Sequence, residues 1–509
     1  MAIIDARDLP EATEIEADLV IIGGGMAGIA IATEWAGANK SVAILESGGL
    51  EFDQTIQDLY RGSGVMRAPD NPEASLDDYT WQSRMRILGG SAAIWGGKCV
   101  PLDEADFTRR DWLSRTGWPM TRAQLQPYYD RACRLLEIPL FDRDFDSSSE
   151  EGRPALTVNG ARDFFSAPRY FSPVGGGADR DKFDRFRTAP SEAANVNVYL
   201  HANVTEIRKR RRGRRISDLA VACLNGKRHT ARGRAYVLAT GGIENVRLLL
   251  ASDLGNDSDQ LGRNFMGHVT YGQFEDEKPI SMFALSDAQR AMTLYTDNGR
   301  DKVHCVLAAT LEAQRRFNMG NFTATMVNAT FPPNANVEAA RMLASMLDQN
   351  GLRAEPAQRV AIYFMAEHMP NPESRITLDI ANVDALGIPK VRLDWVYTRR
   401  DLDNLEAGVN ALAQVLGETN TGRVCWPVPR NEWLAGFSPS RHHMGATRMS
   451  IDADEGVVNE HCRVHGLDNL YVASVSVFPT SGIANPTLTL IALAMRMSDH
   501  LKRDLGVRS

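Results

Sequence analysis

The stretch from Asp18 to Ser47, DLVIIGGGMAGIAIATEWAGANKSVAILES, limits what this chain can fold into more than any other. An apolar run, Leu19 to Ile22, is short enough for a buried strand, and Gly23, Gly25 and Gly28 follow in GxGxxG spacing. A helical stretch and a second strand, Ser41 to Leu45, come next, and Glu46 closes that strand eighteen residues after Gly28. Each part has a task in a dinucleotide-binding βαβ unit. Gly23 makes the tight turn, Gly25 lets backbone approach a pyrophosphate, and Gly28 brings helix and strand together. The helix N-terminus attracts phosphate charge, and the Glu46 carboxylate can accept ribose hydroxyls. The alternative is a tight strand–helix turn that holds no ligand; the flanking strand, helix and distal acid all count against it.

At 509 residues the chain exceeds one compact core and predicts two or three domains. Its formal net charge of −7 favours solubility and argues against nucleic acid as a partner. No apolar run is long enough to span a bilayer, and the acidic opening MAIIDARDLPEATEIEAD lacks the basic-plus-apolar pattern of a secretion signal. Cys99, Cys133, Cys223, Cys305, Cys425 and Cys462 are scattered without CxxC spacing and read as free thiols in a reducing compartment. The expectation is a cytoplasmic enzyme with no metal site and neither nucleic acid nor membrane as partner.

Residues 51–80 read as loops, and a second glycine-dense segment, RILGGSAAIWGG, runs from Arg86 to Gly97. Its small residues let backbone lie against a flat ligand, and Trp95 can wall one side; a surface loop is the alternative. Trp118-Pro-Met-Thr caps a helix through LQPYYDRACRLLE. Residues 141–195 are loop-rich and predict a linker. Strand character returns at Val196 to Ile207, before the basic run RKRRRGRR, Arg208 to Arg215. A solvated hairpin tip with Gly213 at the bend is favoured there over a polyanion-binding or membrane-binding patch. Ala235 to Leu250 is a further βα unit of the nucleotide domain.

From about 275 to 445, VHCVLAAT, NFTATMVNAT and RVAIYFMAE alternate as strands do, with one helical insert, VEAARMLASMLDQN, at 337–350. This region predicts an antiparallel sheet domain carrying the substrate pocket. Asn469 to Leu501 returns to strand, loop and a long apolar helix. The nucleotide domain is therefore expected to combine residues 1–150, 196–274 and 450–509. Residues 275–449 form the substrate-binding domain, and 151–195 a linker or a segment of it.

Two C-terminal stretches carry the chemistry: RHHMGATRM, Arg441 to Met449, and FPTSGIANPTLT, Phe478 to Thr489. A neutral imidazole accepts a hydroxyl proton near pH 7, which oxidation of an alcohol requires, so His442 and His443 are the candidate bases. A satisfied structural histidine is the alternative for the pair alone.

Taken in order, GGGMAG with Glu46, LGGSAAIWGG, WPMTRAQLQPYYDRA, LATGGIENVRLLLAS, LGRNFMGH, RHHMGATRMS and NLYVASVSVFPTSGIANPTLTLIALA resemble the glucose–methanol–choline (GMC) family of flavin oxidoreductases nearly end to end. The last block most resembles the branch of pyranose oxidases and bacterial glycoside 3-oxidases. The resemblance implies an FAD-binding Rossmann-like α/β domain of the GMC type with an α+β substrate domain on an antiparallel sheet. It implies that Gly23, Gly25 and Gly28 hold the FAD pyrophosphate, Glu46 the adenosine ribose and Val204 the adenine. Gly89, Gly90 and Ser91 would line the flavin, with Asn485, Pro486 and Thr487 near its pyrimidine edge. His442 would take the hydroxyl proton, Asn485 would orient the oxygen, and the carbon-bound hydrogen would leave as hydride to flavin N5. His443 is the rival base, one residue away in the loop.

Three positions depart from the family pattern. Ile94 stands where pyranose oxidases carry the histidine that links flavin covalently, so non-covalent FAD is predicted. Ser474 replaces an acid that contacts cofactor, and Ala446 replaces a threonine.

The activity implied is oxidation of a secondary hydroxyl, at C3 or C2, of a pyranose or glycoside, with O2 or a quinone-type acceptor regenerating the cofactor. A flavoprotein subunit of a sugar or polyol dehydrogenase passing electrons to a quinone or cytochrome is the first rival. A non-redox flavin lyase or binding protein is the second. The residues leave open whether copies associate as a homo-oligomer.

Overall fold

A computed structural model of the chain describes residues 2–141, 162–271, 281–284, 296–297, 302–327, 358–419, 422–426 and 428–507. Three sheets organise it. The first has a parallel core in the order Ala2–Asp5, Val196–Leu200, Val42–Leu45, Glu14–Ile22 and Arg228–Leu238. Leu470–Val472 joins the far end of Arg228–Leu238 in parallel, so three distant stretches of chain build one sheet. The central strands are apolar without alternation because both faces are covered: Leu19 to Ile22 and Val42 to Leu45 are all buried. Helix Met26–Trp35 is buried along most of its length and packs beside helix Thr487–Leu505, where Trp35 Nε1 donates to Ser498 Oγ at 3.0 Å.

Antiparallel strands Asn203–Lys209 and Ile216–Ala222 extend the same sheet. Between them the basic run turns at Gly213, whose φ is +106°, and Arg210 N–H donates to Arg215 O at 2.9 Å. The arginines point into solvent, where they pair in part with acids such as Asp218 and Asp468. The run is the tip of a hairpin.

The second sheet is antiparallel throughout, in the order Gly422–Cys425, Ser281–Ala284, Gln358–Glu367, Phe322–Val327, Lys302–Ala309, Phe164–Phe171 and Lys98–Cys99. Its two faces differ by the period of two. Phe322, Ala324, Ile362 and Phe364 are buried on one side, where Gly408 of helix Arg399–Glu418 lets Phe322 lie against the helix backbone. Arg169 and Phe171, Thr323 and Thr325, and Tyr363 and Met365 line a cavity. A small third sheet joins Arg375–Val383, Pro389–Val396, Ser63–Arg67 and Ala74–Ser75.

Two segments differ from the sequence reading. Phe164–Phe171 is a strand of the second sheet where the chain reads as loop-rich; Pro168 disguises it. Proline fits because the neighbouring strand Lys98–Cys99 reaches only Phe171 and Tyr170, leaving that edge open at Pro168. Ser63–Arg67 is a strand rather than loop, held by parallel pairing to Pro389–Val396. The acidic stretch beginning at 142 and the helix expected at 337–350 lie outside the described residues. Among the described residues, Cys99, Cys133, Cys223 and Cys462 are free and buried. No described helix is long and apolar enough to cross a membrane.

A buried ion pair ties the loop before the capped helix Arg122–Leu135 to the second sheet. Arg110 donates from Nη1 and Nη2 to the two Glu367 oxygens at 2.7 Å each, both side chains fully buried. Asn321 bridges this pair toward Asp106, donating from Nδ2 at 3.0 Å.

Candidate active site

The three glycines after strand Glu14–Ile22 serve three geometric needs. Gly23 has φ +101°, and a Cβ there would come within 2.7 Å of the Ala239 carbonyl oxygen. A Cβ on Gly28 would collide with the Gly23 carbonyl, so this position sets how closely helix and strand approach. Gly25 is the N-cap of Met26–Trp35, has no side-chain cap, and would place a Cβ no nearer than 3.9 Å to any neighbour. Its backbone therefore meets open space, with helix N–H groups unclaimed by a capping side chain. Glu46 accepts the Gly24 and Gly48 N–H groups at 2.7 Å each. Burial raises its pKa against the pull of those bonds.

The second glycine segment lies against the first. Gly89 N–H donates to Gly24 O at 2.7 Å, and a Cβ on Gly90 would stand 3.0 Å from Gly25 Cα. Gly89 itself turns toward Phe183 and does not line the cavity, and neither does Gly28. Their contribution is to packing. Gly90, Ser91 and Trp95 do line it.

The cavity measures about 1050 Å³. It runs from Gly23, Gly25, Glu46 and Val204 to Ser474, Asn485, Pro486, Thr487, His442 and His443. Pro486 caps helix Thr487–Leu505 without a side-chain bond, so a second helix N-terminus opens into it. Ser474 also faces the cavity, but its hydroxyl accepts the Ser476 N–H at 3.2 Å and serves its own turn.

At the far end the hydrogen bonds fix proton positions. His442 Nδ1 lies 2.9 Å from His268 Nδ1, and His268 Nε2 lies 3.3 Å from Ser481 O. A carbonyl only accepts, so His268 carries its hydrogen on Nε2. Burial holds the His268 pKa well below its ordinary value, so the ring is neutral and its Nδ1 is a lone pair. His442 must then donate from Nδ1, which leaves its Nε2 lone pair available. Burial, then Arg169, lower the His442 pKa to about 4, so it too is neutral at pH 7.

Asn485 is oriented by the same logic. Arg169 Nη1 donates to Asn485 Oδ1 at 2.9 Å, and a guanidinium cannot accept. The Asn485 amide group is thus left with its N–H donors.

His443 lies elsewhere in the wall. It stands edge-on to Tyr79 at 5.6 Å and stacks with Phe265 at 6.1 Å, and its Nε2 has no partner among the described residues. Burial, then Arg84, lower its pKa to about 3.

Several lining residues carried no clear signal in the sequence. Glu244 binds Arg84, Arg86 and Arg247, and Asp384 binds Arg247, in a buried cluster beside Tyr60. Burial raises the Glu244 pKa, but the arginines outweigh it and hold the carboxyl at about 2. Arg169 lies in a segment that reads as linker. His268 ends LGRNFMGH, so its motif was visible while its contact was not.

Comparison with known proteins gives this arrangement a family. Residues 18–348 match the family model described as FAD dependent oxidoreductase, and residues 370–494 the one described as GMC oxidoreductase. The chain is an FAD-dependent oxidoreductase of the GMC family. It is 28% identical over 322 residues to the fructose dehydrogenase large subunit of Gluconobacter japonicus, covering 61% of this chain and 54% of that subunit. It is 24% identical to the 6'''-hydroxyparomomycin C oxidase of Streptomyces lividus, covering 96% of this chain and 92% of that one. The fold is similar to that of the solved pyridoxine 4-oxidase from Mesorbium loti, with a TM-score of 0.57, 17% identity, and coverage of 95% and 98%.

The site of this GMC oxidoreductase fits the cofactor of its family. An open glycine cradle, two helix N-termini and a buried acid line one cavity, which suits a dinucleotide with a negative pyrophosphate. Ile94, which lines the cavity at the position expected for a covalent link, offers no nucleophile.

Proposed function

We propose that this protein oxidises a secondary hydroxyl, at C3 or C2, of a pyranose sugar or glycoside to a keto-sugar. One observation carries the reading: the Ser481–His268–His442 relay leaves a neutral Nε2 lone pair at the end of the cavity that also holds Asn485.

His442 Nε2 accepts the hydroxyl proton and becomes imidazolium, while its Nδ1–H stays on His268. Asn485, turned by Arg169, donates an amide N–H to the substrate oxygen as negative charge builds there. Gly23, Gly25 and Glu46 would hold the dinucleotide end of the cofactor, with Val204 toward its adenine and Asn485, Pro486 and Thr487 toward its ring. FAD, when bound, supplies the two-electron acceptor that takes the hydrogen from carbon as hydride. The product is a carbonyl, one proton being on His442.

The sugar assignment is supported by the fructose dehydrogenase relative and by Thr323 and Thr325, which line the cavity and suit a ligand with many hydroxyls. An anaerobic screen of free sugars, O-glycosides and C-glycosides tests it. Bleaching of the flavin, with a 2- or 3-keto product, is the expected result. No bleaching with any sugar or simple alcohol would leave a flavin lyase or binding protein. Re-oxidation by air marks an oxidase; a need for quinone or dye marks the dehydrogenase reading.

A further inference from the structure

Besides Arg441, the histidine end of the cavity carries two further cations, Arg169 and Lys98, and among the described lining residues no carboxylate answers them. Arg169 is only 3% exposed, and its hydrogen-bond partners are neutral: Asn485 Oδ1 at 2.9 Å from Nη1, and Ile483 O at 3.4 and 3.3 Å from Nη1 and Nη2. Lys98 lines the same cavity on the strand beside Phe171, its ammonium 5.8 Å from the centre of the Phe171 ring. Neither cation has an ion-pair partner among the described residues. The carboxylates that line the cavity are otherwise engaged. Glu46 is held by the Gly24 and Gly48 N–H groups, while Glu244 and Asp384 are bound by Arg84, Arg86 and Arg247. A buried cation without an anion is costly, so this pair is poised for a ligand that supplies one.

The bonds that Arg169 makes indicate the anion's shape. Reaching Ile483 O from both Nη atoms uses the end of the guanidinium, and Asn485 takes the outer hydrogen of Nη1. Among the described residues, no partner takes Nε–H or the outer hydrogen of Nη2. These lie side by side along one edge and match the two oxygens of a carboxylate. Burial lowers the Arg169 pKa to about 10 and, with Arg169 nearby, that of Lys98 to about 8, so both are charged at pH 7.

We propose that the substrate is an acidic sugar, a pyranose or glycoside bearing a carboxylate as uronic acids do, with Arg169 and Lys98 as the carboxylate-binding residues. This deepens the sugar-oxidation reading and rests on it.

Two measurements separate the claims. In calorimetric titration, D-glucuronate binds at least about tenfold more tightly than D-glucose, and Lys98→Gln brings the two close to parity. In anaerobic flavin reduction, phenyl glucuronide is preferred over phenyl glucoside by a similar factor, and Lys98→Gln shrinks that ratio. Equal binding of glucuronate and glucose would overturn the proposal even if both sugars bleach the flavin. Glucuronate binding without bleaching by any sugar would sink the oxidation reading and leave the carboxylate site standing. Tighter binding of D-glucose 6-phosphate than of glucuronate would overturn the carboxylate assignment. A Lys98→Gln shift in flavin potential with unchanged selectivity would assign the charges to the cofactor instead.

Discussion

The Nδ1 atoms of His442 and His268 face each other at 2.9 Å, and only one of them can carry a hydrogen. Ser481 decides which by accepting from the other nitrogen of His268. A backbone carbonyl thereby selects the tautomer of the base. His268→Ala removes the acceptor and frees the His442 ring to turn or exchange tautomers. The limiting rate of flavin reduction is expected to fall about 10- to 100-fold, with KM moving far less and FAD still bound. An unchanged rate in stopped flow would show that the relay does not serve catalysis.

The pH dependence follows from the buried environment of the same ring. His442 acts as base in its neutral form, and its pKa is lowered from 6.5 to about 4. Sugar-dependent flavin reduction should therefore be level above about pH 5 and fall as pH drops through about 4. A limb centred near 6.5 would indicate an ordinary, solvated histidine. Stability carries the same sign. The unfolded chain takes up the His442 proton first, so stability present above pH 6.5 declines as pH falls toward 4. Urea midpoints across that range measure it.

The glycine loop separates fold from cofactor. Gly25→Ala meets no protein atom closer than 3.9 Å, so the chain should fold and melt normally without cofactor while holding FAD more weakly. Gly28→Ala runs into the Gly23 carbonyl and should lower the melting temperature of the apoprotein itself. Loss of apoprotein stability in the Gly25 variant, or none in the Gly28 variant, would reverse these roles.

Arg110 and Glu367 form a fully buried, two-pronged ion pair. Glu367→Ala strands the guanidinium and should cost about 3–5 kcal/mol by denaturant unfolding. The double variant Arg110→Met, Glu367→Leu removes both charges and should cost clearly less. Equal losses would show that volume, not charge, dominates there.

Much of this was legible in the chain because the evidence was local. The strand, three glycines and Glu46 occur within one short stretch, and Gly23 and Gly28 answer to close contacts that spacing alone anticipates, while Gly25 meets open space. The alternation in Lys302–Ala309, Phe322–Val327 and Gln358–Glu367 likewise announced one antiparallel sheet. What stayed hidden depended on distant pairing. Arg169 reaches Asn485 across 316 positions of sequence, and its strand is masked by Pro168. His442 and His443 are adjacent in sequence and chemically alike; only their neighbours separate them. One faces His268, the other an aromatic pair, Tyr79 and Phe265.

Replacing each of these two histidines by alanine, and following flavin bleaching anaerobically with a sugar the wild type oxidises, tests the central claim most directly. His442→Ala should keep its FAD and lose about two to four orders of magnitude in the reduction rate, while His443→Ala retains most of it. Rapid bleaching by His442→Ala, with His443→Ala inert, would contradict the account and transfer the base to the neighbouring ring.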